Sequence, residues 1–291
     1  MRLNYISVLL IVALSLQVFA QWGGQKLNEG DVIRDNITGT QGEYNVEYWK
    51  NGGTGTMTLG PGCDFSCEWG SVNNILFRKG LRPGSREVNI SYSADYEPQE
   101  NSYLSVYGWF QNPLVEYYII ESWGTWRPPG SFGKKGTVIS DSGTYEIYSN
   151  SRNGESIEGY KTFTQYWSVR TVKRTSGVIT CKNHFDAWEK AGMTIGKFYE
   201  VSFNVEAYQS PGGSADVKVK MFTGSIAVSP YSPRLVPSVL SSSNNDPSVL
   251  YNIIGQKMDG VLKITSTKQH SVIFNTPDRA SGVFYSFPEK K

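Results

Sequence analysis

Residues 107–129 read YGWFQNPLVEYYIIESWGTWRPP, and from residue 114 the run alternates as a strand does. Leu114, Glu116, Tyr118 and Ile120 point to one face; Val115, Tyr117, Ile119 and Glu121 point to the other. Tyr, Val and Ile suit a pleated surface. Glu116 therefore stands on a sheet face among tyrosines, either as a satisfied structural acid or as a reacting one. A second stretch, residues 199–219, reads YEVSFNVEAYQSPGGSADVKV. Val201, Phe203, Val205 and Ala207 form its apolar face, and Ser202, Asn204, Glu206 and Tyr208 its polar face. Two strand-borne glutamates among aromatic residues suggest the paired carboxyl groups of glycoside hydrolysis. One protonates the leaving oxygen while the other attacks or activates water.

Outward from these strands the chain continues in the same idiom. The strands are expected to begin at Tyr44, with YNVEYWK and TGTMTL set about the Asn51-Gly52-Gly53 turn. CDFSCEW, NNILFRKG, REVNISYSADY and NSYLSVYGW follow, and a hairpin is expected about Asp141-Ser142-Gly143. Turn signals recur about every ten residues, as in a sandwich or jelly roll. The run HFDAWEKAG (residues 184–192) is the one good helical candidate, with Phe185 and Trp188 on one face and Gly192 at the stop. It is expected to pack on the outer side of a sheet.

Four runs, in order, resemble the motifs of family 11 glycoside hydrolases, the small endo-β-1,4-xylanases. They are NPLVEYYIIESWGTWRP (residues 112–128), FTQYWSVR (163–170), NHFDAWEKAGM (183–193) and VEAYQSPGGSADV (205–217). The resemblance covers roughly residues 40 to 222. It implies an all-β jelly roll of two packed antiparallel sheets forming a cleft, with one α-helix. It also implies a retaining reaction on xylan and xylo-oligosaccharides, with Glu116 as nucleophile and Glu206 as acid/base. A charged Glu116 beside Glu206 is expected to raise the Glu206 pKa.

Further positions follow from the same resemblance. Asn74 matches the residue that hydrogen-bonds the acid/base, and an asparagine there goes with activity near neutral pH. Tyr107 and Tyr118 match tyrosines that touch the sugar, and Trp49 matches a stacking platform, with Trp109 beside them. Arg170 matches an arginine that reaches the cleft and helps hold Glu116 ionised. Residues 151–159 match a loop over the cleft, the thumb, whose tip keeps Ser156-Ile157 but carries Glu155 where the family has proline. Two other departures are Ala207, where the family has glycine, and Leu81, where it has tryptophan. Glu121, Asp186, His184 and His270 are expected to be structural.

Composition bounds the rest. With a formal charge of +2, nothing points to a nucleic-acid partner. No His or second Cys pair lies at zinc-ligand spacing, so neither metal nor cofactor is expected. Residues 1–20 read as a secretory signal peptide, too short in its apolar run for a membrane span. Export permits disulfides; Cys63 could bridge Cys67, or either could pair with Cys181. The division expected is a polar lead-in over 21–42, a catalytic domain over 43–222, a Pro/Ser-rich linker over 223–247 and a small β segment over 248–291. That last segment weakly resembles the sorting segments of type IX secretion, which would imply secretion or cell-surface machinery as a partner. The other reading is a β appendage of unstated purpose. A monomeric, extracellular xylanase is the leading expectation. The alternatives are a non-catalytic glycan-binding sandwich, which needs the aromatics but not both glutamates, and a jelly-roll β-1,4-glucanase.

Overall fold

A computed structural model describes residues 24–224, together with three short C-terminal strands by their backbone. The strands begin earlier than Tyr44. β1 (Gln25–Lys26), β2 (Val32–Ile33) and β3 (Ile37–Gln41) occupy the stretch expected to be a lead-in. The reason is local: Gly42, at φ 58°, turns β3 back onto β4 (Tyr44–Lys50), pairing Ile37 with Tyr48 through Gln41 with Tyr44. The other elements are β5 (Thr54–Leu59), β6 (Phe65–Leu81), β7 (Val88–Pro98), β8 (Ser102–Gln111), β9 (Val115–Trp123), β10 (Lys134–Ser140), β11 (Gly143–Gly154), β12 (Lys161–Arg170), β13 (Ser176–Thr180), α1 (Cys181–Lys190) and β14 (Lys197–Thr223).

Two sheets share two long strands. The cleft sheet runs β1-β3-β4-β6-β14-β8-β9-β12-β11-β10, while β2, β5, β7 and β13 build the outer sheet on the other ends of β6 and β14. β6 pairs with β4 over residues 75–80 and with β5 over residues 65–70. β14 likewise pairs with β8 over 197–207 and with β7 over 213–223. Both strands turn at the same level, β6 at Ser71 (φ 50°) and β14 at Gln209 (φ 47°), beside the β14–β6 pairs Ser210–Val72 and Tyr208–Asn74. A positive φ at a residue with a Cβ is disfavoured, and the Trp69 Nε1 donates to Ser210 Oγ at 3.1 Å across the bend. Pairing is antiparallel except between β9 and β12 and in the short β1–β3 contact.

The Asn51-Gly52-Gly53 turn forms, with φ of 97° and 75° at the glycines. It does not make a hairpin. β4 and β5 pair with different halves of β6, so the turn hands the chain from the cleft sheet to the outer one. CDFSCEW and NNILFRKG accordingly belong to one strand, β6. The Asp141-Ser142 turn does close a hairpin, with Ser140 paired to Gly143 and φ of 50° and 59° between them.

The main core lies between the sheets, and α1 seals it from behind the cleft sheet. Cys181, His184, Phe185 and Trp188 recur at helical spacing and are all buried. Phe185 meets Phe110 and Tyr117 ring to ring, and Trp188 donates to Ser168 Oγ at 2.9 Å. Gly192, at φ 77°, ends the helix. Asp141 anchors its start by accepting from the Thr180 N–H and hydroxyl, both at 2.8 Å. His184 is buried against Tyr145, and burial lowers its pKa to about 3. Glu121 is equally buried on the same side, bound by Arg174 and by the hydroxyls of Tyr92 and Tyr145. Asp186 pairs with Arg86 at 2.6 Å.

No disulfide forms: Cys63, Cys67 and Cys181 are buried free thiols. Burial pushes the Cys63 thiol up to about 12. Its Sγ lies 3.4 Å from the Lys79 carbonyl, so it behaves as a small core group rather than half of a bridge.

The C-terminal unit holds β15 (Val261–Lys263), β16 (Ser271–Asn275) and β17 (Gly282–Tyr285) in an antiparallel sheet. The expected signal peptide, most of the linker and His270 lie outside the described residues.

Candidate active site

Glu116 and Glu206 stand on the same face of the cleft sheet, with β8 between their strands. Trp109 of β8 is paired with Glu116 of β9, and Tyr103 of β8 is paired with Glu206 of β14. Alternation aims Tyr103, Tyr107 and Trp109 at the cleft while Val106 and Phe110 enter the core. A second apolar cluster, including Leu76, Tyr118, Phe163 and Trp167, therefore floors the cleft. Tyr118 and Trp167 stack with centroids 4.1 Å apart.

Each oxygen of Glu116 accepts one hydrogen bond. Tyr107 Oη donates to Oε1 at 2.7 Å, and Gln165 Nε2 donates to Oε2 at 2.5 Å. Trp109 Nε1 in turn donates to Tyr107 Oη at 2.7 Å, which fixes the direction of the tyrosine proton. This acceptor-only arrangement suits a carboxylate held at a fixed angle.

Glu206 is placed differently. Asn74 Nδ2 donates to its Oε1 at 3.2 Å, while Oε2 has no partner of ordinary hydrogen-bond geometry. Burial raises its pKa to about 8, with the nearby Glu116 charge as the next cause; Arg152, Tyr118 and Arg78 oppose the rise. The rise and the Glu116 contribution are as expected, but desolvation is the larger cause. At neutral pH one carboxyl accepts from two donors and the other retains its proton.

The two acids line a cavity of about 180 Å³ with Trp49, Asn74, Tyr107, Trp109, Tyr118, Ser156 and Ile157. A larger space of about 670 Å³ shares Tyr118, Arg152 and Glu206 with it and extends to Tyr103, Trp126, Phe132 and Tyr208. A larger concavity, about 990 Å³, lies by Arg34, Trp69, Glu97 and Gly213 and contains neither acid. Convergence of the two acids, rather than volume, marks the site.

Arg170 is not in the cleft. It shares a strand face with Tyr166 and Ser168, which turn towards α1, and donates to Tyr145 Oη at 2.9 Å and to the Ser142 carbonyl. Gln165 and Trp167 occupy the other face of β12. The arginines that line the cavity are Arg78 of β6 and Arg152 of β11, and the Arg152 charge acts on Tyr118, Glu116 and Glu206. Gln165 and Arg152 were both legible only as members of a strand and a loop; the alternation of FTQYWSVR separates Gln165 from Arg170 without saying which face is wet. Ala207 lies on the core face, so its methyl group does not narrow the cleft. Leu81 packs at the edge of the same core.

One wall is ionic. Arg78 pairs with Glu47 at 2.7 Å and with Glu200 at 2.9 Å, and Arg82 pairs with both acids. Burial alone would raise the Glu200 pKa, but Arg78 and Arg82 outweigh it and push the group down to about 2. The Arg78 guanidinium lies 4.7 Å over the Tyr107 ring. Among the described residues no group of three or more His, Cys, Asp or Glu could hold a metal ion.

Two carboxyl groups in unlike environments on the cleft face of a β-jelly roll are the arrangement that glycoside hydrolysis requires. Residues 41–218 match the model of glycosyl hydrolases family 11, and the chain belongs to that family. It is 50% identical over 220 residues to the endo-1,4-beta-xylanase A of Thermoclostridium stercorarium, covering 73% of this chain and 32% of that protein. It is 46% identical over 200 residues to the endo-1,4-beta-xylanase A of Bacillus pumilus, covering 66% of this chain and 87% of that one. The family 11 xylanase from Neocallimastix patriciarum superposes with a TM-score of 0.62 at 39% identity, covering 67% of this chain and all of that one. The chain thus spans about a third of the length of the Thermoclostridium relative and nearly all of the Bacillus one.

Proposed function

We propose that this chain is an endo-1,4-β-xylanase that hydrolyses internal bonds of xylan by a retaining double displacement. The observation that carries the reading is the division of labour between two acids on one cleft face. Glu116 accepts hydrogen bonds at both oxygens, whereas Glu206 keeps its proton up to about pH 8.

In the first step the Glu206 carboxyl gives its proton to the glycosidic oxygen. The Glu116 carboxylate attacks the anomeric carbon, the bond to the leaving sugar breaks, and a glycosyl ester forms on Glu116. That ester carries no charge, so one cause of the raised Glu206 pKa disappears and Glu206 becomes a better base. In the second step Glu206 takes a proton from water. The resulting hydroxyl attacks the anomeric carbon from the opposite face, and Glu116 leaves as carboxylate. Asn74 steadies Glu206, Tyr107 and Gln165 steady Glu116, and Trp49 offers a flat face to a more distant xylose.

The protein is read as secreted after loss of residues 1–20 and as acting alone on xylan and xylo-oligosaccharides. No helix among the described residues is long and apolar enough to cross a membrane. The deciding experiment compares the protein lacking residues 1–20 with its Glu116→Ala and Glu206→Ala variants on purified xylan. The parent is expected to release short xylo-oligosaccharides whose first-formed anomer is β by proton NMR, with release nearly abolished in both variants. Retention of the protein on xylan without release would replace the enzyme with a glycan-binding sandwich; an α anomer would replace retention with inversion.

A further inference from the structure

Glu155 lies at the turn between β11 and β12, exposed, and lines the cavity that holds Glu116 and Glu206. It forms no hydrogen bond or ion pair with any described residue. Most of the other charges on these walls are paired. Glu47 is held by Arg78 and Arg82, and Arg78 is shared with Glu200. Arg152 faces the two reacting acids. The neighbouring thumb charge, Glu158, pairs with Lys161 at 2.9 Å. Glu155 is thus a carboxylate without an ion-pair partner at the rim of a cleft through which a polysaccharide must pass.

Resting on the reading of this cleft as a xylan site, we propose that Glu155 is a specificity-determining residue that disfavours xylan bearing uronic acid side groups relative to xylan bearing neutral ones. The physical basis is like-charge repulsion between Glu155 and a substrate carboxylate. Neutral substituents escape it. For two charges about 8 Å apart in a largely aqueous setting, the repulsion corresponds to roughly a two- to fourfold loss in kcat/KM. Salt screens it over about the same distance.

The test compares Glu155, Glu155→Gln and Glu155→Lys proteins on two xylo-oligosaccharides of equal backbone length, one with a uronic acid branch and one with an arabinose branch. The ratio of kcat/KM, acidic over neutral, is expected to rise about threefold with Gln and further with Lys. In 0.5 M sodium chloride, about three times the salt of a physiological buffer, the parent ratio should approach that of the Gln variant. A ratio equal in all three proteins, or a parent ratio indifferent to salt, overturns the assignment while leaving xylan hydrolysis intact. Failure of the parent on the neutral substrate overturns both readings. Because Glu155 is exposed and makes no contact to lose, both substitutions leave folding undisturbed, and unchanged thermal unfolding serves as the control.

Discussion

The proton on Glu206 links activity to stability. Its pKa of about 8 lies above that of a carboxyl in an unfolded chain, so between roughly pH 4.5 and pH 8 the folded protein retains a proton the unfolded chain has released. Stability is therefore full below that range and falls as pH rises through it. At pH 8 the loss is on the order of a few kcal/mol. Glu206→Gln, which needs no proton, should match the parent in thermal unfolding at pH 4 and exceed it at pH 8; a gap that shrinks with rising pH would refute this. The same proton sets the alkaline limb of kcat/KM in the free enzyme, expected near pH 8. Gln165→Leu removes one of the two donors to Glu116 and should lower kcat on the order of 10- to 100-fold with little change in KM. Glu116 and Glu206 were readable at this scale because each sits in a run whose alternation fixes its face, whereas Asn74 and Tyr107 were readable only through the family resemblance. Arg152 was readable in neither way. Alternation within β12 defines two faces, but only its pairing with β9 and β11 decides that Gln165, and not Arg170, faces the cleft.

Between elements, the ionic wall ties three strands together. Glu47 lies on β4, Arg78 on β6 and Glu200 on β14, with Arg82 just beyond β6. Removing one member leaves buried charge behind, so Arg78→Met should destabilise the domain by roughly 3–5 kcal/mol and lower Tm by roughly 10 °C. The sign with pH is opposite to that of Glu206. Glu200 is held at about 2, so its contribution is present above its ordinary range and disappears as pH falls towards 2. Thermal scans of parent and variant should converge in acid. The turn at Asn51-Gly52-Gly53 teaches the limit of reading elements from sequence. Its glycines announce a reversal, but the identity of the paired strand depends on β6, which is long enough to serve β4 and β5 with different halves. The lead-in was missed for a related reason: its strands are short, and each is completed by a partner further along the chain.

At the scale of the molecule, both acids, both apolar clusters and all the cleft residues named above lie within residues 24–224. Protein ending at Ser225 should keep the full length chain's kcat/KM on soluble xylan and its Tm; a large fall in either would give residues 226–291 a part in the catalytic fold. The jelly roll itself was legible because turn signals and alternation are local, whereas the sharing of strands between sheets is not. That sharing has a consequence for synthesis. β14 is the last strand of the domain, yet it sits in the middle, joined to β6 across separations as large as that between Phe65 and Val217. A ribosome therefore exposes β6, β7 and β8 before their common partner exists. Until about residue 223 has emerged, those strands present unpaired edges that neither sheet can cover. The domain is therefore expected to close late, and its open strand edges are a hazard of misassembly for as long as the central strand is still inside the tunnel.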